Sequence, residues 1–239
     1  MTANGHAGNL ESQIDAARHE ITAAARALVA AGVLSPSEHG NMSARIAGTD
    51  LMLLTGVSSL ANVTPDELAV LHLDGRVHSG EVHPASAEII HMHADVYLKR
   101  PDLGGIIHTH SPFSTSFAIA NRPLDLVSEA LVRFGVEEAI PVAAYAPRGS
   151  KEAVSNIIDV VGPKTRAVLL QNHGLLAFGD TVTAAKHLIL VMEEAAQAAL
   201  NAAAIGGATV IPASMLHATR QRAQDFAAQG TLAAPNTPR

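Results

Sequence analysis

The chain has 239 residues, of which 48% are hydrophobic, 16% are charged and only 3% are aromatic. This composition excludes disorder and collagen-like repeats, and it predicts one folded domain with a core of Ala, Val, Leu and Ile. A net charge of −6 without a basic stripe argues against nucleic acid as a partner, and the absence of cysteine excludes disulfides and thiolate metal sites. Without a signal-peptide pattern or an apolar stretch of membrane-spanning length, we expect a cytoplasmic protein that makes no contact with a membrane.

The first part of the chain is predicted to be a helix followed by a small sheet. Apolar residues at helical spacing predict an amphipathic helix over residues 10–34, with Gly32 as its stop. Short apolar runs at 43–47 and 51–55 predict strands, and Asp74-Gly75 is typical of a hairpin turn.

The rest of the chain is predicted to alternate between helices and strands. Ser86 is a candidate N-cap for a helix that Pro101 ends. The predicted helices cover 86–100, 112–120, 151–161, 181–204 and 212–228, and the predicted strands cover 106–110, 167–170 and 175–178. Strands interspersed with helices indicate a single α/β or α+β domain with a covered sheet.

Three histidines are candidate metal ligands. Residues two apart on a strand point to the same face, so His108 and His110 present two imidazoles side by side. His173 interrupts a second apolar strand beside a glycine, where a polar group is hard to explain by packing. Three neutral imidazoles that leave an open position are typical of a catalytic divalent metal site. The alternative for the His-x-His pair is a hydrogen-bonded structural role.

Glu88 is the candidate acid/base, since it lies early on the predicted helix upstream of the His-x-His strand. It is either a general acid/base beside the metal, a fourth ligand, or an acidic group that favours a helix N-terminus. His91 and His93 lie about 200° apart on an ideal helix, so they cannot both join one site. Histidines without supporting spacing are interpreted as surface or structural: His6, His19, His39, His72, His78, His187 and His217.

Two turn motifs and one loop arginine are candidates for substrate binding. Glycines at Gly40-Asn41 and Thr55-Gly56 let backbone N–H groups approach an anion. Arg148, in a Pro-Arg-Gly-Ser loop, is either a bidentate carboxylate ligand or a solvated charge.

Five short motifs, taken in order, resemble those of the class II aldolase/adducin family. They are Gly-Asn-Met-Ser at 40–43, Thr-Gly at 55–56, Ser-Ala-Glu at 86–88, His-Thr-His-Ser-Pro at 108–112 and Gln-Asn-His-Gly at 171–174. The resemblance spans about residues 10–205, so we expect residues 1–9 to be a flexible N-terminus and 206–239 a partly helical extension. It implies a single-domain three-layer α/β/α fold around a mainly antiparallel sheet, and a homotetramer with active sites at the subunit interfaces.

The resemblance also implies roles for single residues. His108, His110 and His173 would bind one divalent metal ion per subunit, zinc or manganese, with cobalt and iron as alternatives. Glu88 would be the acid/base. An anion-binding pocket for a small anionic substrate would be lined by Asn41, Thr55, Gly56 and Ser86. If Ile89 instead occupies the family's acidic position, Glu88 would point about 100° away from the site.

Two departures from the aldolase pattern shape the expected reaction. Ala87 stands where sugar-phosphate aldolases of the family carry a second serine, which removes one phosphate donor. The stretches 129–135 and 146–150 are more similar to the family's metal-dependent decarboxylases, where Arg133 and Arg148 would bind a substrate carboxylate. We therefore expect a metal-dependent carbon–carbon lyase, first a decarboxylase of a hydroxylated aromatic or heteroaromatic dicarboxylate or related keto acid in catabolism. The alternatives are an aldolase that cleaves a sugar phosphate or hydroxy-aldehyde adduct, and a non-enzymatic adducin-like binding protein.

Overall fold

A central sheet between two layers of helices forms the protein. The computed structural model describes residues 3–56 and 59–229, and within them the sheet has eight strands. The strands are β1 (Gly40–Arg45), β2 (Leu51–Thr55), β3 (Leu68–His72), β4 (Val77–Ser79), β5 (Gly105–Thr109), β6 (Val142–Ala143), β7 (Ala167–Leu170) and β8 (Gly174–Gly179). The helices are α1 (Ala3–Ala30), α2 (Pro84–Ala87), α3 (Ile90–Lys99), α4 (Pro112–Ile119), α5 (Glu129–Arg133), α6 (Lys151–Val160), α7 (Val182–Ala203) and α8 (Ala213–Ala228).

The strand order across the sheet is β4-β3-β2-β1-β5-β8-β7-β6, and all neighbours are antiparallel except the parallel pair β6 and β7. This arrangement confirms the predicted single-domain α/β fold with a mainly antiparallel sheet. β5 lies in the interior of the sheet, hydrogen-bonded to β1 on one side and to β8 on the other.

Alternate residues of each strand belong to two separate cores. On one face, Met42, Ile107 and Leu175 pack in a core with α1, α4, α5 and α7. On the other face, Ile106 and Leu176 pack in a second core with α3 and α6. Because the strand period is two, His108 shares the face of Ile106 and therefore lies on the α3/α6 side.

The helices and strands predicted after Pro101 are confirmed to within one or two residues at each end. The stretch from Ala120 to Pro147, interpreted as loops and short strands, also contains the helix α5. The predicted helix over 86–100 is broken. The chain forms α2, a turn at Glu88 and Ile89, and then α3. Ile89 and Ile90 are both buried in the α3/α6 core.

The terminal segments also differ in part from the sequence prediction. α1 begins at Ala3 rather than at residue 10, and α8 packs against α5 in the segment predicted to be a partly helical extension. Residues 230–239 of that segment lie outside the described residues, and the domain limits at 10 and 205 stay predictions. Among the described helices, none combines the length and the apolar character needed to cross a membrane.

Candidate metal centre and substrate cavity

Two of the three candidate ligands are positioned by β5 and the residue that follows it. His108 lies within the strand and is 3% exposed, while His110 comes directly after the strand and is half-buried. Nδ1 of His108 lies 2.9 Å from the carbonyl oxygen of Leu175, to which it donates a hydrogen bond. A neutral imidazole has one N–H, so this bond leaves the Nε2 lone pair of His108 free to bind a cation.

His173 is presented by the tight turn between β7 and β8. Its backbone N–H donates to Leu170 at 2.9 Å, and Asn172 has a positive φ of 57° that closes the turn. Gly174 follows where a side chain would not fit, because a Cβ there would lie 2.5 Å from the Thr109 carbonyl oxygen and 2.9 Å from His110 Cδ2. The glycine therefore lets the turn approach the end of β5.

The three imidazoles converge, as the sequence predicted but could not show. Their ring centroids are 4.7 to 5.0 Å apart, and one ligand nitrogen from each lies within 4.8 Å of the others. Nε2 of His108 and Nε2 of His110 are only 3.2 Å apart. Two nitrogens that face each other at this distance cannot both carry hydrogens without a clash, whereas a shared cation would satisfy both lone pairs.

Electrostatics keep this histidine cluster neutral. Burial, followed by the neighbouring His173 and His110, holds the pKa of His108 well below its usual range. Burial and His173 lower the pKa of His110 to about 4, and burial and then Arg148 lower the pKa of His173. Neutral imidazoles are the form that binds metal, so the donor set fits a divalent cation with an open position for substrate.

Glu88 lies in the turn between α2 and α3 and lines the same cavity as the three histidines. Its Oε2 lies 3.5 Å from Nε of Arg148, and both side chains are about half exposed. Gly149, with a φ of 78°, packs where a Cβ would lie 3.1 Å from Cβ of Glu88. The turn between α2 and α3 places the Glu88 carboxylate at the cavity, and Ile89 lines the cavity as well.

The cavity has a volume of about 150 Å³ and two unlike walls. One set of lining residues is polar, whereas the lining residues from α3, β6, α6, β7 and the turn before α3 are mainly apolar. The polar residues include His39, Asn41, Ser86, Glu88, Arg148 and Gln171, and the apolar ones include Ile89, Met92, Ala143, Val154, Ile157 and Leu170. The apolar wall is continuous with the α3/α6 core.

The four residues predicted to bind an anion are close together but not equally accessible. Asn41 and Ser86 line the cavity, while Thr55 and Gly56 lie behind them and do not. Thr55 is 1% exposed: its hydroxyl oxygen accepts a hydrogen bond from the Met42 N–H, and its carbonyl accepts one from the Ser86 hydroxyl. A Cβ at Gly56 would meet the Glu67 carbonyl at 2.5 Å, so glycine is required there by the packing of the backbone.

Of the two candidate arginines, the structure brings only Arg148 to the cavity. Arg133 lies on α5, where its guanidinium is 3.7 Å from the Glu129 carboxylate one helical turn earlier. It does not line the cavity, so a direct role for Arg133 in carboxylate binding is not supported.

Two histidines interpreted as peripheral or ambiguous in the sequence are part of this region. His39 lines the cavity, with its ring 6.3 Å from that of His110. His93 on α3 is fully buried and lies 2.6 Å from Asn41. The sequence contains a signal for this contact, because two pairs of polar residues each share one face of an element. Asn41 and Ser43 are two apart on a strand, and His93 and Tyr97 are four apart on a helix.

Comparisons with known proteins identify relatives in sequence and in overall fold. The sequence model of the Class II Aldolase and Adducin N-terminal domain matches residues 19–200. A 5-methylthioribulose-1-phosphate/5-deoxyribulose-1-phosphate aldolase of Rhodospirillum rubrum is 29% identical over 220 residues, which cover 92% of this chain and 96% of that protein. A 5-deoxy-D-ribulose 1-phosphate aldolase of Bacillus thuringiensis is 31% identical over 201 residues, or 82% of this chain and 89% of the relative. Among solved structures, an L-fuculose 1-phosphate aldolase is similar with a TM-score of 0.75 and 26% identity, covering 86% of this chain and 95% of the other.

Proposed function

Because the chain belongs to the class II aldolase and adducin family, we propose that it is a metal-dependent aldolase that cleaves a small phosphorylated ketose. The observation that carries this proposal is the convergence of His108, His110 and His173 in one cavity with Glu88. The relatives described above are named as aldolases of sugar phosphates, which supports aldehyde release over the decarboxylation that the sequence favoured.

The three histidines would hold the divalent metal ion. When bound, the ion supplies a Lewis acid that stabilises the negative charge developing on a substrate oxygen as the carbon–carbon bond breaks. Zinc, manganese, cobalt and iron all accept imidazole nitrogen, so elemental analysis of the purified protein is needed to identify the bound metal.

Glu88 is proposed to move the protons of the reaction. Aldol cleavage requires a base to take the proton of the hydroxyl group that becomes the aldehyde carbonyl, and an acid to protonate the carbon left with the electron pair. The carboxylate at the cavity wall suits both roles. Arg148, beside Glu88, would bind an anionic oxygen of the substrate, and Asn41 would bind another.

The apolar wall supports a substrate with one end that carries no charge. Met92, Ile157 and Leu170 offer no hydrogen-bonding side chain to a sugar hydroxyl. A terminal methyl or alkylthio group would fill this side at no desolvation cost, whereas a hydroxyl would lose its hydrogen bonds to water. We therefore propose a deoxy sugar phosphate as the substrate class.

The test is to incubate zinc-loaded and manganese-loaded protein with a panel of ketose 1-phosphates and to follow the products by mass spectrometry. We expect an aldehyde and a three-carbon ketose phosphate, with a preference for substrates that lack the terminal hydroxyl.

Glu88→Gln is expected to lower kcat by about 100-fold or more with metal content unchanged. Glu152→Gln on α6, outside the cavity, is the matched control. Unchanged turnover in Glu88→Gln would assign the proton transfer to another group.

Arg148 favours decarboxylation as a second candidate function, because its guanidinium at the cavity would bind a substrate carboxylate. In that case the wild-type protein releases CO₂ from an ortho-hydroxy aromatic dicarboxylate. Arg148→Gln would then raise KM by about 10-fold or more, since a charge-assisted hydrogen bond is lost. Arg133→Gln, away from the cavity, is the control and should behave as wild type. Aldehyde release without CO₂ release would refute this candidate.

The oligomeric state is also a proposal. The family resemblance favours a homotetramer with active sites between subunits, and sedimentation at several protein concentrations would test it. A non-enzymatic binding role, as in adducin-like relatives, is less well supported, since the three candidate ligands and Glu88 are all present.

A further inference from the structure

A buried set of hydrogen bonds connects α3 to the cavity. His93 contacts Asn41 through Nε2, 2.6 Å from the amide oxygen Oδ1, and contacts Ser43 through Nδ1, 2.7 Å from the hydroxyl oxygen. The Tyr97 hydroxyl lies 2.9 Å from that hydroxyl and donates to the Ser43 carbonyl at 3.1 Å. His93, Ser43 and Tyr97 are inaccessible to solvent. Water therefore cannot take part, and each side-chain N–H or O–H of these three residues donates within this set.

With the Asn41 amide oxygen facing His93, the hydrogens of this set have one arrangement. Burial lowers the pKa of His93 to about 3, so its ring is neutral and carries a single hydrogen. Tyr97 gives its only hydroxyl hydrogen to the Ser43 carbonyl. The amide oxygen Oδ1 of Asn41 can only accept, so Nε2 of His93 carries that hydrogen. Nδ1 is then the bare nitrogen, and it accepts a hydrogen bond from the Ser43 hydroxyl.

We propose that His93 is a positioning residue that holds the Asn41 amide with its NH₂ group turned into the cavity. Asn41 is 8% exposed and lies beside His108 in the register of β1 and β5. A freely rotating amide could present either its oxygen or its nitrogen to a ligand. With Oδ1 held by His93, Asn41 acts only as a donor, which selects an anionic oxygen. The inference rests on the proposed function for the identity of that anion as a phosphate.

The opposite arrangement makes opposite predictions. If Ser43 donated to Tyr97, then Nδ1 of His93 would carry the hydrogen and Nε2 would accept from Asn41, whose oxygen would face the cavity. Tyr97 would then be essential to the orientation of Asn41. In the arrangement that we propose, the Ser43–His93–Asn41 bonds persist without the Tyr97 hydroxyl.

The first experiment determines the tautomer of His93 in zinc-loaded wild-type protein by ¹H–¹⁵N NMR with labelled histidine. The His93 signals are identified by their absence from the His93→Phe spectrum. We expect a protonated Nε2 and a bare Nδ1. A protonated Nδ1 would overturn the proposal, and this measurement does not depend on the reaction catalysed.

The second experiment measures binding of inorganic phosphate to zinc-loaded protein by calorimetry. His93→Phe is expected to weaken binding by about 10-fold, the effect of about one hydrogen bond, with the zinc stoichiometry unchanged. Tyr97→Phe, the matched control at the far end of the set, should bind as wild type. Three outcomes would each overturn the role assigned here. A folded His93→Phe protein could bind phosphate as tightly as wild type, Tyr97→Phe could weaken binding equally, or wild type could fail to bind phosphate. CO₂ release in the activity screen, with the hydrogen of His93 still on Nε2, would contradict the proposed aldolase function alone. The positioning role of His93 would then stand.

Discussion

Burial sets the protonation of the histidines around the site. His93, His108, His110 and His173 all have lowered pKa values, and burial is the largest cause for each. For the three candidate ligands, a low pKa keeps the lone pair available to a cation at neutral pH. For His93, which faces other side chains instead, it fixes a single hydrogen that orients Asn41.

His93 should make the folding free energy depend on pH. Its pKa is about 3 when folded and near the ordinary 6.5 when unfolded, so the unfolded chain binds more protons between these values. The stabilisation is complete above pH 6.5 and is lost as the pH falls below it. Between pH 7.5 and pH 5, we expect wild type to lose about 2 kcal/mol more unfolding free energy than His93→Phe. Urea unfolding at each pH measures this difference, and equal losses in the two proteins would contradict it.

Single residues were predictable where a local pattern carried the signal. The alternation of His108 and His110 indicates a shared strand face, and Gly174 beside His173 indicates a turn. The convergence of His173 with the pair depends on contacts between distant segments, which no local pattern contains. His39 and His93 were not assigned to the site, because a lone histidine in a loop or on a helix face is also compatible with a structural role.

At the scale of elements, α4 is held in place by a buried carboxylate. Glu193 on α7 is 4% exposed, and its two oxygens accept hydrogen bonds from the backbone N–H groups of Phe113 and Ser114, at 2.6 and 2.8 Å. These groups belong to the first turn of α4, where N–H groups have no partner within the helix. Since α4 begins two residues after His110, this contact also holds the chain that follows β5 and carries His110.

Removal of the Glu193 carboxylate should therefore be costly. Glu193→Ala is expected to lower the unfolding free energy by about 3 kcal/mol, because two hydrogen bonds to a charged acceptor are lost and the N–H groups stay buried. Zinc affinity should fall as the segment after β5 loosens. Glu194→Ala, one residue along and exposed, is the control and should have little effect on either quantity. Denaturant unfolding and zinc titration of both variants make the comparison. Equal stability of the two variants would show that Glu193 is not a significant cap.

The elements themselves were largely predictable from periodicity and from Gly and Pro positions. The break between α2 and α3 was not, since Ser86 to Ile90 contains no glycine or proline that would signal it. Ile89 and Ile90 are both buried in the α3/α6 core, a contact between distant segments that no local pattern contains. The turn at Glu88 and Ile89 decides where Glu88 lies.

At the scale of the whole molecule, the candidate metal centre connects two parts of the sheet. His108 and His110 belong to β5 and its end, whereas His173 belongs to the turn between β7 and β8. A cation that binds all three in the folded state only would stabilise that state by about 4 kcal/mol at a free concentration 1,000 times its dissociation constant.

Removal of the metal should lower the melting temperature while the secondary structure is kept. We expect chelation to leave the far-ultraviolet circular dichroism unchanged, because the sheet and both cores do not require the ion. Re-addition of zinc should restore the melting temperature. His173→Ala should abolish this response, whereas His72→Ala, far from the site in β3, should retain it. A melting temperature that is insensitive to chelation in metal-loaded wild type would argue against the site.

The interior position of β5 separates the chemistry of the site from its selectivity. Backbone amides of a strand bonded on both sides exchange with deuterium only when much of the sheet opens, so the candidate ligand His108 stands on a segment that we expect to exchange slowly. Arg148 belongs instead to an exposed surface loop, where sequence change is tolerated better than in a strand. Gly149 is the exception, because a side chain there would press on Glu88. Random mutagenesis confined to residues 144–148 should therefore change which substrates are accepted while the protein continues to bind its metal.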